Sequence, residues 1–240
     1  MNYRFPDARL LIFAKAPVPG RVKTRLAGQL GARGAAALYK TLLRRTLVLT
    51  HAARLCPVEL WCAPDTRHGF FAACRRDYAV RLRRQCGGNL GQRMSHALNR
   101  TLVANECAAL IGGDCASLGT TELHAAFEQL AAGREVVLGP ATDGGYVLVG
   151  LRRPCPTMFR GIAWGTPTVL AATRRRLQRA EVNWTELPVG WDVDTPTDLR
   201  RLRRSEKPSP PTPRSEGEGS RADSQPETSA TSASPKYSAV

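Results

Sequence analysis

Short apolar runs alternate with longer amphipathic stretches along most of the chain. The apolar runs are rich in Leu, Val, Ile and Ala, which is typical of strands that are buried on both faces of a sheet. Because strands and helices alternate, we expect an α/β fold with a mostly parallel sheet and helices packed on it. The predicted strands are residues 8–14, 58–62, 79–83, 108–111, 135–138, 146–149 and 182–187.

The predicted helices carry apolar residues at helical spacing and residues that favour helix ends. One is expected from about residue 32 to residue 51 and another from about residue 92 to residue 104. A third is expected to be capped by Thr120 or Thr121 and to end at Gly133.

Two more helices are predicted from their first residues. Thr166-Pro167 predicts a helix with proline at its first position. Thr195 and Asp198 have the spacing of a capping box, which predicts a short closing helix.

Residues 205–240 differ in composition from the rest of the chain. They hold nine serines and six prolines, and their only large apolar side chains are Tyr237 and Val240. Such a segment cannot bury enough apolar surface to offset the entropy that is lost on ordering. We therefore predict a single folded domain over residues 1–204 and a disordered Ser/Pro-rich tail over residues 205–240.

The predicted domain is strongly basic. The tail holds four basic and five acidic residues, so the 35 basic and 20 acidic residues of the chain leave 31 and 15 for residues 1–204, a formal charge of +16. A charge of this size attracts polyanions non-specifically. The excess is mostly arginine scattered through an Ala- and Arg-rich chain, which favours a compositional origin over a nucleic-acid interface.

The cysteines and the N-terminus bear on the compartment. Seven cysteines without a CxxC pair fit neither a zinc site nor a disulfide framework, so we expect reduced thiols. The first residues lack the apolar core of a signal peptide, and no apolar run approaches the roughly 18 residues of a membrane span. The sequence predicts a soluble cytoplasmic protein without a membrane partner.

A basic loop follows the first predicted strand. Gly20 permits a sharp turn, and Arg21, Lys23 and Arg25 bring cationic donors close to a helix start, where free N–H groups also favour anions. Neither a Walker A sequence nor GxGxxG is present. We interpret the loop as a phosphate-binding segment, and a solvated basic loop is the alternative.

Two predicted strands are followed by single acids, Asp114 after residues 108–111 and Asp143 after residues 135–138. Open α/β sheets bind ligands outside the carboxyl ends of their strands, and carboxylates there suit a divalent cation that assists phosphate chemistry. The alternatives are a helix cap for Asp114 and an ordinary hairpin turn for Asp143.

A further acidic segment, Asp192-Val193-Asp194, comes directly before Thr195. Alternation in extended backbone places both carboxylates on one side, which suits a divalent cation. The alternative is that their charge complements the N-terminus of the following helix. Asp198 is interpreted as a capping residue only. The histidines lack ligand spacing, and no GxSxG sequence suggests a serine hydrolase.

Several segments, taken in order, resemble one group of bacterial GT-A-like transferases. This family was formerly of unknown function, is often described as glycosyltransferases, and is associated with radical-SAM and selenium-related proteins or with arsenosugar biosynthesis. The resemblance covers residues 8–203. The matching segments are FAKAPVPGRVKTRL (13–26), QCGGNLGQR (85–93), IGGDCAS (111–117), GPATDGGYVLVGL (139–151), WGTP (164–167) and DVDTPTDL (192–199).

The resemblance implies a GT-A nucleotide-diphospho-sugar transferase fold, similar to that of molybdenum-cofactor and phospholactate guanylyltransferases. Asp114 would be a catalytic and metal-binding acid, and Asp143 or Asp194 would complete the metal or acceptor site. Of these two, Asp143 is assigned to catalysis and Asp194 to the metal. The nucleotide- and phosphate-binding residues would be Ala14, Lys15, Gly20, Arg21, Lys23, Gln85 and Gly88.

The chain departs from the family around its central acid. The family usually reads Gly-Thr-Asp-Ser-Pro, whereas this chain has Gly113, Asp114, Cys115 and Ala116 after Gly112. The acid is kept, but the two neighbouring hydroxyls and the proline are absent.

The leading hypothesis is a Mg²⁺- or Mn²⁺-dependent transferase that uses a nucleotide-activated donor, a nucleoside-diphosphate sugar, and a small-molecule acceptor. The first alternative is nucleotidyl transfer, in which a phosphorylated acceptor attacks the α-phosphate of an NTP and pyrophosphate leaves. The second is a non-catalytic nucleic-acid-binding or scaffold protein that keeps the fold, which the +16 charge and the altered central motif motivate.

Overall fold

The computed structural model describes residues 2–205 of the chain. Within this range the strands form one sheet in the order β3-β2-β1-β4-β6-β5-β7. β6 runs antiparallel to β4 and β5, and the other pairings are parallel. The predicted mostly parallel sheet is confirmed. The strands are β1 (Ala8–Lys15), β2 (Val58–Ala63), β3 (Arg81–Arg84), β4 (Cys107–Gly112), β5 (Val136–Pro140), β6 (Tyr146–Leu151) and β7 (Trp184–Glu186).

Helices flank the sheet, as predicted for a single-domain GT-A-like fold. In residues 2–205 no helix has both the length and the apolarity that crossing a bilayer requires. The helices of this range are α1 (Ala27–Ala53), α2 (Gly69–Tyr78), α3 (Leu90–Leu102), α4 (Thr120–Ala131), α5 (Val169–Arg179) and α6 (Pro196–Ser205).

Apolar side chains cover both faces of the sheet, which explains why the central parallel strands β1, β2 and β4 are mostly apolar along their length, whereas the edge strand β3 is not. One core cluster joins Ile12 of β1 to Leu43 of α1 and Phe127 of α4. The other lies on the opposite face, where Leu11 packs in one cluster with Leu98 of α3. A third, smaller cluster joins α6 to α1. The core thereby holds the strands from both sides, and the loops at their carboxyl ends are positioned by a rigid base.

The starts of α1 and α2 differ from the sequence pattern. α1 is broken at Gly31, whose φ of 67° is not helical, so its regular part begins close to the predicted residue 32. α2 was not predicted. It buries Phe70, Phe71 and Cys74 on one side, and the His68 ring accepts a hydrogen bond from the Phe70 N–H at 3.1 Å. Histidine is not among the residues that mark helix starts, so nothing in the sequence signalled this cap.

The predictions for the other helix starts had mixed outcomes. The threonine cap of α4 was wrong, because Gly119 precedes the helix and its N–H donates to the Glu122 carboxylate at 2.8 Å. α5 begins at Val169, three residues after the predicted Thr166. The capping box of α6 is confirmed. Its Asp198 carboxylate accepts from the Thr195 N–H at 2.7 Å, and the Thr195 hydroxyl accepts from the Asp198 N–H at 3.3 Å.

The C-terminal helix reaches Ser205, one residue past the predicted domain boundary. The remainder of the predicted disordered tail, residues 206–240, lies outside the described residues, and its disorder stays a prediction.

Candidate active site

A cleft of about 920 Å³ opens at the carboxyl ends of three neighbouring strands. Lys15, Ala63 and Arg84 line it and are the last residues of β1, β2 and β3. The loop residue Arg21 and Arg93 of α3 complete its rim. Its volume is that of a typical small-molecule site, and its location is the one at which open α/β sheets bind ligands.

The charge of this cleft is strongly positive. Its one acidic lining residue, Asp65, is held by Arg67 at 2.7 Å. Among the described residues, the other cationic lining residues have no carboxylate within ion-pair distance. Uncompensated cations that surround a cavity attract an anionic ligand. We call this the cationic cleft, and its cations without an ion-pair partner among residues 2–205 are Lys15, Arg21, Arg84 and Arg93, although Arg84 also acts electrostatically on Asp65.

Gln85 lines the cationic cleft, and two hydrogen bonds fix its side chain. Its side-chain N–H₂ donates to the carbonyl oxygens of Trp61 at 2.8 Å and Ala14 at 3.2 Å. Both donors of the amide are therefore used within the protein, and its oxygen is left as an acceptor. Gln85 and Ala14 lie together, as the resemblance implied for two nucleotide-binding residues, although Ala14 contributes through its backbone.

A group of acids lies at the end of β4 and in the segment before α6. Lys23 lies among them, with its Nζ 2.6 Å from Asp114 Oδ2 and 3.4 Å from Asp194 Oδ1. Arg25 binds the other oxygen of Asp194 at 3.0 Å. Asp192 adds a further carboxylate that acts electrostatically on Lys23. We call Asp114, Asp192 and Asp194 the acidic group.

Local backbone geometry directs Lys23 inward. Its φ of 48° and ψ of 41° are left-handed, an uncommon conformation for a residue with a side chain. The neighbouring Val22 and Leu26 are buried, and the Lys23 side chain is 3 % exposed. Burial lowers the pKa of Lys23, but the charges of the acidic group outweigh this effect and raise the pKa above its ordinary value.

Asp192 lies in an environment that disfavours its ionised form. Burial, followed by the nearby charge of Asp114, raises the pKa of Asp192 to about 7, although Lys23 partly offsets both. Its Oδ1 atom is buried and has no hydrogen-bond partner within residues 2–205. An unpaired buried oxygen of this kind is costly unless a cation or a donor satisfies it.

The residues around the altered central motif hold the two acidic segments together. Cys115 forms a β-bridge with Asp192. The Ser117 hydroxyl accepts from the Trp191 N–H at 2.7 Å and donates to the Trp191 carbonyl at 3.0 Å. Burial raises the pKa of the Cys115 thiol to about 12, which disfavours the nucleophilic thiolate form. Cys115 and Ser117 therefore connect the segment around Asp114 to the segment around Asp192, although the two hydroxyls usual in the family are absent.

The acidic group has the chemistry of a divalent-cation site, although it does not form a ready-made cage. In residues 2–205 no cluster of three or more His, Cys, Asp or Glu side chains is arranged around one metal position. Mg²⁺ commonly keeps several waters and uses only one or two carboxylates together with substrate phosphates. Asp114 and Asp194 already share one cationic atom, Nζ of Lys23, and the unpaired oxygen of Asp192 lies in the same acidic group.

The remaining predicted residues have distinct positions. Asp143 is exposed, and its carboxylate accepts from the Gly145 N–H at 2.9 Å; its charge also contributes to raising the pKa of Asp192. The Gly88 N–H donates to the Gln92 side chain at 2.8 Å. Gly20 has a φ of 76°, which explains the need for glycine there. Lys15, Arg21 and Gln85 line the cationic cleft, whereas Lys23 lies in the acidic group.

Sequence reasoning missed several residues of the cleft. Arg67, Arg84 and Arg93 line it, but none was selected from the sequence. In an Arg-rich chain an individual arginine carries little information, and only the position of Arg84 at the end of a predicted strand hinted at a site. Asp192 was recognised as part of an acidic pair but was not assigned to the metal.

Comparison with known proteins places these observations in context. Residues 46–166 match the profile of the DUF2064 family, described as uncharacterized proteins conserved in bacteria. A Desulfovibrio desulfuricans protein described as a nucleotide-diphospho-sugar transferase is 31 % identical, with a TM-score of 0.76 over 85 % of this chain and 89 % of that one. No curated protein sequence matches the chain.

More distant matches show the same fold. An inositol-1-phosphate CTP transferase from T. maritima has a TM-score of 0.56 at 12 % identity, over 85 % of this chain and 97 % of that one. A nucleotidyl transferase from Methanothermobacter has a TM-score of 0.55 at 15 % identity, over 82 % and 96 % of the two chains. The predicted GT-A-like fold of nucleotide-dependent transferases is thereby confirmed.

Proposed function

The chain belongs to the DUF2064 family, and we propose that it is a transferase that uses a nucleotide-activated donor, specifically a nucleoside-diphosphate sugar. The description of the Desulfovibrio relative as a nucleotide-diphospho-sugar transferase supports this donor. A sugar carbon would be attacked by a small acceptor, and the nucleoside diphosphate would leave.

One observation carries the proposal: a single loop reaches both the cationic cleft and the acidic group. Arg21 lines the cleft, and Lys23, two residues later, binds Asp114 and Asp194. A donor whose base and phosphates lie in the cleft would therefore bring its diphosphate next to the acids. Electrostatic stabilisation of the charge that develops on such a leaving group is usually the largest catalytic contribution.

The residues have separable roles in this proposal. Arg21 and Arg84 donate hydrogen bonds to the phosphates, and Gln85 presents its amide oxygen to an N–H of the base. Asp114 and Asp194 would hold Mg²⁺ or Mn²⁺, which when bound offsets the charge of the leaving diphosphate. Asp143, which is exposed and accepts a hydrogen bond from the Gly145 N–H, would contact the acceptor.

A second candidate is nucleotidyl transfer from an NTP to a phosphorylated small molecule. The observation that favours it is the charge of the cleft, where four cations lack an acidic partner within residues 2–205. A nucleoside triphosphate carries more negative charge than a nucleoside-diphosphate sugar and would neutralise more of them. Both reactions use the same loop and acids, and they differ in the bond that breaks.

The experiment is a thermal-unfolding series on the full chain with NTPs and nucleoside-diphosphate sugars, each with and without Mn²⁺. A ligand at about 100 times its dissociation constant stabilises the folded state by roughly 2.7 kcal/mol, which is a readily measured shift. A metal-dependent shift with one nucleoside-diphosphate sugar supports the proposal. A shift with an NTP, followed by pyrophosphate release on addition of phosphorylated acceptors, supports the second candidate.

The matched variants are Asp114→Asn, which should lose the metal-dependent shift, and Arg100→Gln on the exposed side of α3, which should keep it. A chain that shows no shift with any nucleotide, but binds RNA or DNA with a steep salt dependence and no metal effect, would contradict both transferase proposals. It would support the non-catalytic binding protein instead.

A further inference from the structure

Lys23 contacts the two carboxylates, Asp114 and Asp194, that are proposed to bind a divalent cation. From this arrangement we infer that Lys23 is the resident counter-cation of the acidic group, and that it exchanges with the divalent cation instead of coexisting with it. The inference rests on the proposed function only in taking Asp114 and Asp194 as the carboxylates that bind the metal.

The first argument is the geometry of the shared contacts. The Lys23 Nζ contacts Asp114 Oδ2 at 2.6 Å and Asp194 Oδ1 at 3.4 Å, so one nitrogen bridges two carboxylates from distant parts of the chain. A Mg²⁺ ion held by the same two carboxylates would compete with Lys23 for their oxygens, and the two cations would also repel each other.

The second argument is that the protein holds Lys23 in this position. The side chain is 3 % exposed, and its left-handed backbone directs it inward from a loop anchored by the buried Leu26. Arg25, which also binds Asp194, is 70 % exposed and has no comparable confinement. A cation that approaches from solvent can therefore displace Arg25 easily, but it must displace Lys23 from a close and partly buried ion pair with Asp114.

The third argument is that a bound ligand would offer Lys23 alternative anionic partners. Lysine has a flexible four-carbon stem, and Arg21 of the same loop already lines the cationic cleft. Phosphates in the cleft would offer Lys23 new anionic partners close to its present ones. Nucleotide binding would then free the carboxylates for the metal, so that each ligand raises the affinity of the protein for the other. Metal alone would bind weakly.

The test measures Mn²⁺ binding without nucleotide, by the loss of the electron paramagnetic resonance signal of free Mn²⁺. The proteins are the wild-type chain, Lys23→Met, and the control Lys40→Met, which removes a lysine of α1 outside the site. We expect Lys23→Met to bind Mn²⁺ at least tenfold more tightly than wild type, and Lys40→Met to match wild type. The added site should disappear in Lys23→Met/Asp114→Asn.

Folding is followed in the same samples, because removal of Lys23 leaves the acidic group uncompensated. Mn²⁺ should raise the unfolding midpoint of Lys23→Met more than that of wild type, and Lys23→Gln should behave in the same way. If both neutral variants stay unfolded even with Mn²⁺, then no cation can take the place of Lys23 and the exchange is overturned.

Equal or weaker Mn²⁺ binding by folded Lys23→Met also overturns the exchange. If the Mn²⁺-dependent nucleotide shift persists in wild type in that case, the proposed function stands and only the exchange is lost. If no nucleotide binds to wild type but Lys23→Met gains Mn²⁺ affinity, the exchange stands and the proposed function is lost.

Discussion

The cationic cleft and the acidic group lie at the ends of neighbouring strands of one sheet. They differ in whether their charged side chains already have partners within the protein. The cleft leaves Lys15, Arg21 and Arg84 open and without acidic partners in residues 2–205. The acidic group is already occupied, because Lys23 bridges Asp114 and Asp194 from a buried position.

The difference indicates that the cationic cleft can bind an anionic ligand directly, whereas the acidic group must first release Lys23 before it binds another cation. Open cations keep their hydration until an anion arrives, so they favour rapid capture of a charged ligand. Lys23 is buried, whereas the side chains of Asp114 and Asp194 are 26 % and 50 % exposed, so breaking this partly buried ion pair leaves a buried ammonium group without its counter-charge. We expect single substitutions in the cationic cleft to weaken nucleotide binding by graded amounts. A single substitution in the acidic group should remove nearly all of the metal-dependent binding.

The largest effect is expected from Asp114→Asn in the acidic group. A metal ion contributes several kcal/mol of charge stabilisation, so its loss should reduce metal-dependent nucleotide affinity or turnover by about 100-fold or more. Calorimetric titration of Mn²⁺ together with nucleotide measures this loss. A variant that keeps its metal-dependent affinity would show that Asp114 serves only as the ion-pair partner of Lys23.

A smaller and graded effect is expected from Arg21→Gln and Arg84→Gln in the cationic cleft. Hydrogen bonds to charged groups contribute about 1.5–3 kcal/mol, so each variant should bind nucleotide roughly tenfold or more weakly. Mn²⁺ binding without nucleotide should not change. Arg100→Gln, on the helix that carries Arg93, is the matched control, and an equal loss in that variant would point to overall charge instead of the cleft.

The next prediction compares the stabilities of two variants, Gly113→Ala beside Asp114 and Gly20→Ala beside Arg21. A Cβ at Gly113 would lie 2.6 Å from Leu43 Cδ1 and 3.2 Å from the Phe13 carbonyl oxygen, so overpacking should cost about 1–3 kcal/mol. Gly20 has open space around it, and its φ of 76° makes alanine cost about 1–2 kcal/mol.

Chemical denaturation measures both stabilities, and Mn²⁺ titration measures the effect on the site. Only Gly113→Ala should also disturb the acidic group, since it moves the backbone that carries Asp114. Equal Mn²⁺ affinities in the two variants would contradict this distinction.

The last prediction concerns the pH dependence of stability in the metal-free protein. The pKa of Asp192 is about 7 in the fold, whereas an unfolded carboxyl titrates near about 4. The folded state binds this proton more tightly, so its contribution to stability is greatest below about pH 4 and is lost as the pH rises through 7. Asp192→Asn cannot ionise and should remove this loss.

The unfolding midpoint of Asp192→Asn should exceed that of wild type by a few degrees at pH 8, and the two midpoints should approach each other at pH 4. Thermal scans in the presence of a chelator measure the difference. Parallel pH profiles for the two proteins would show that Asp192 titrates normally.

Much of the fold was predictable because its signals are local. Mostly apolar runs indicated the central strands of the sheet, and Thr195 with Asp198 indicated the start of α6, which the hydrogen bonds confirm. α2 was missed because its cap is His68, whose ring replaces the usual short polar side chain. The start of α5 was placed too early because the Thr166-Pro167 step belongs to a loop, in which Pro167 packs against Gly144.

The candidate site was predictable only in part. The sequence by itself determined that a basic loop follows β1 and that acids follow later strands, because strand direction fixes the edge at which both emerge. Only the tertiary structure decided that Arg21 faces the cationic cleft while Lys23 lies between Asp114 and Asp194, residues far from it in the chain. The reason is physical. The partners of the Lys23 charge depend on the left-handed backbone of Lys23 and on the order of the strands in the sheet. Neither of these features leaves a periodic signal in the sequence.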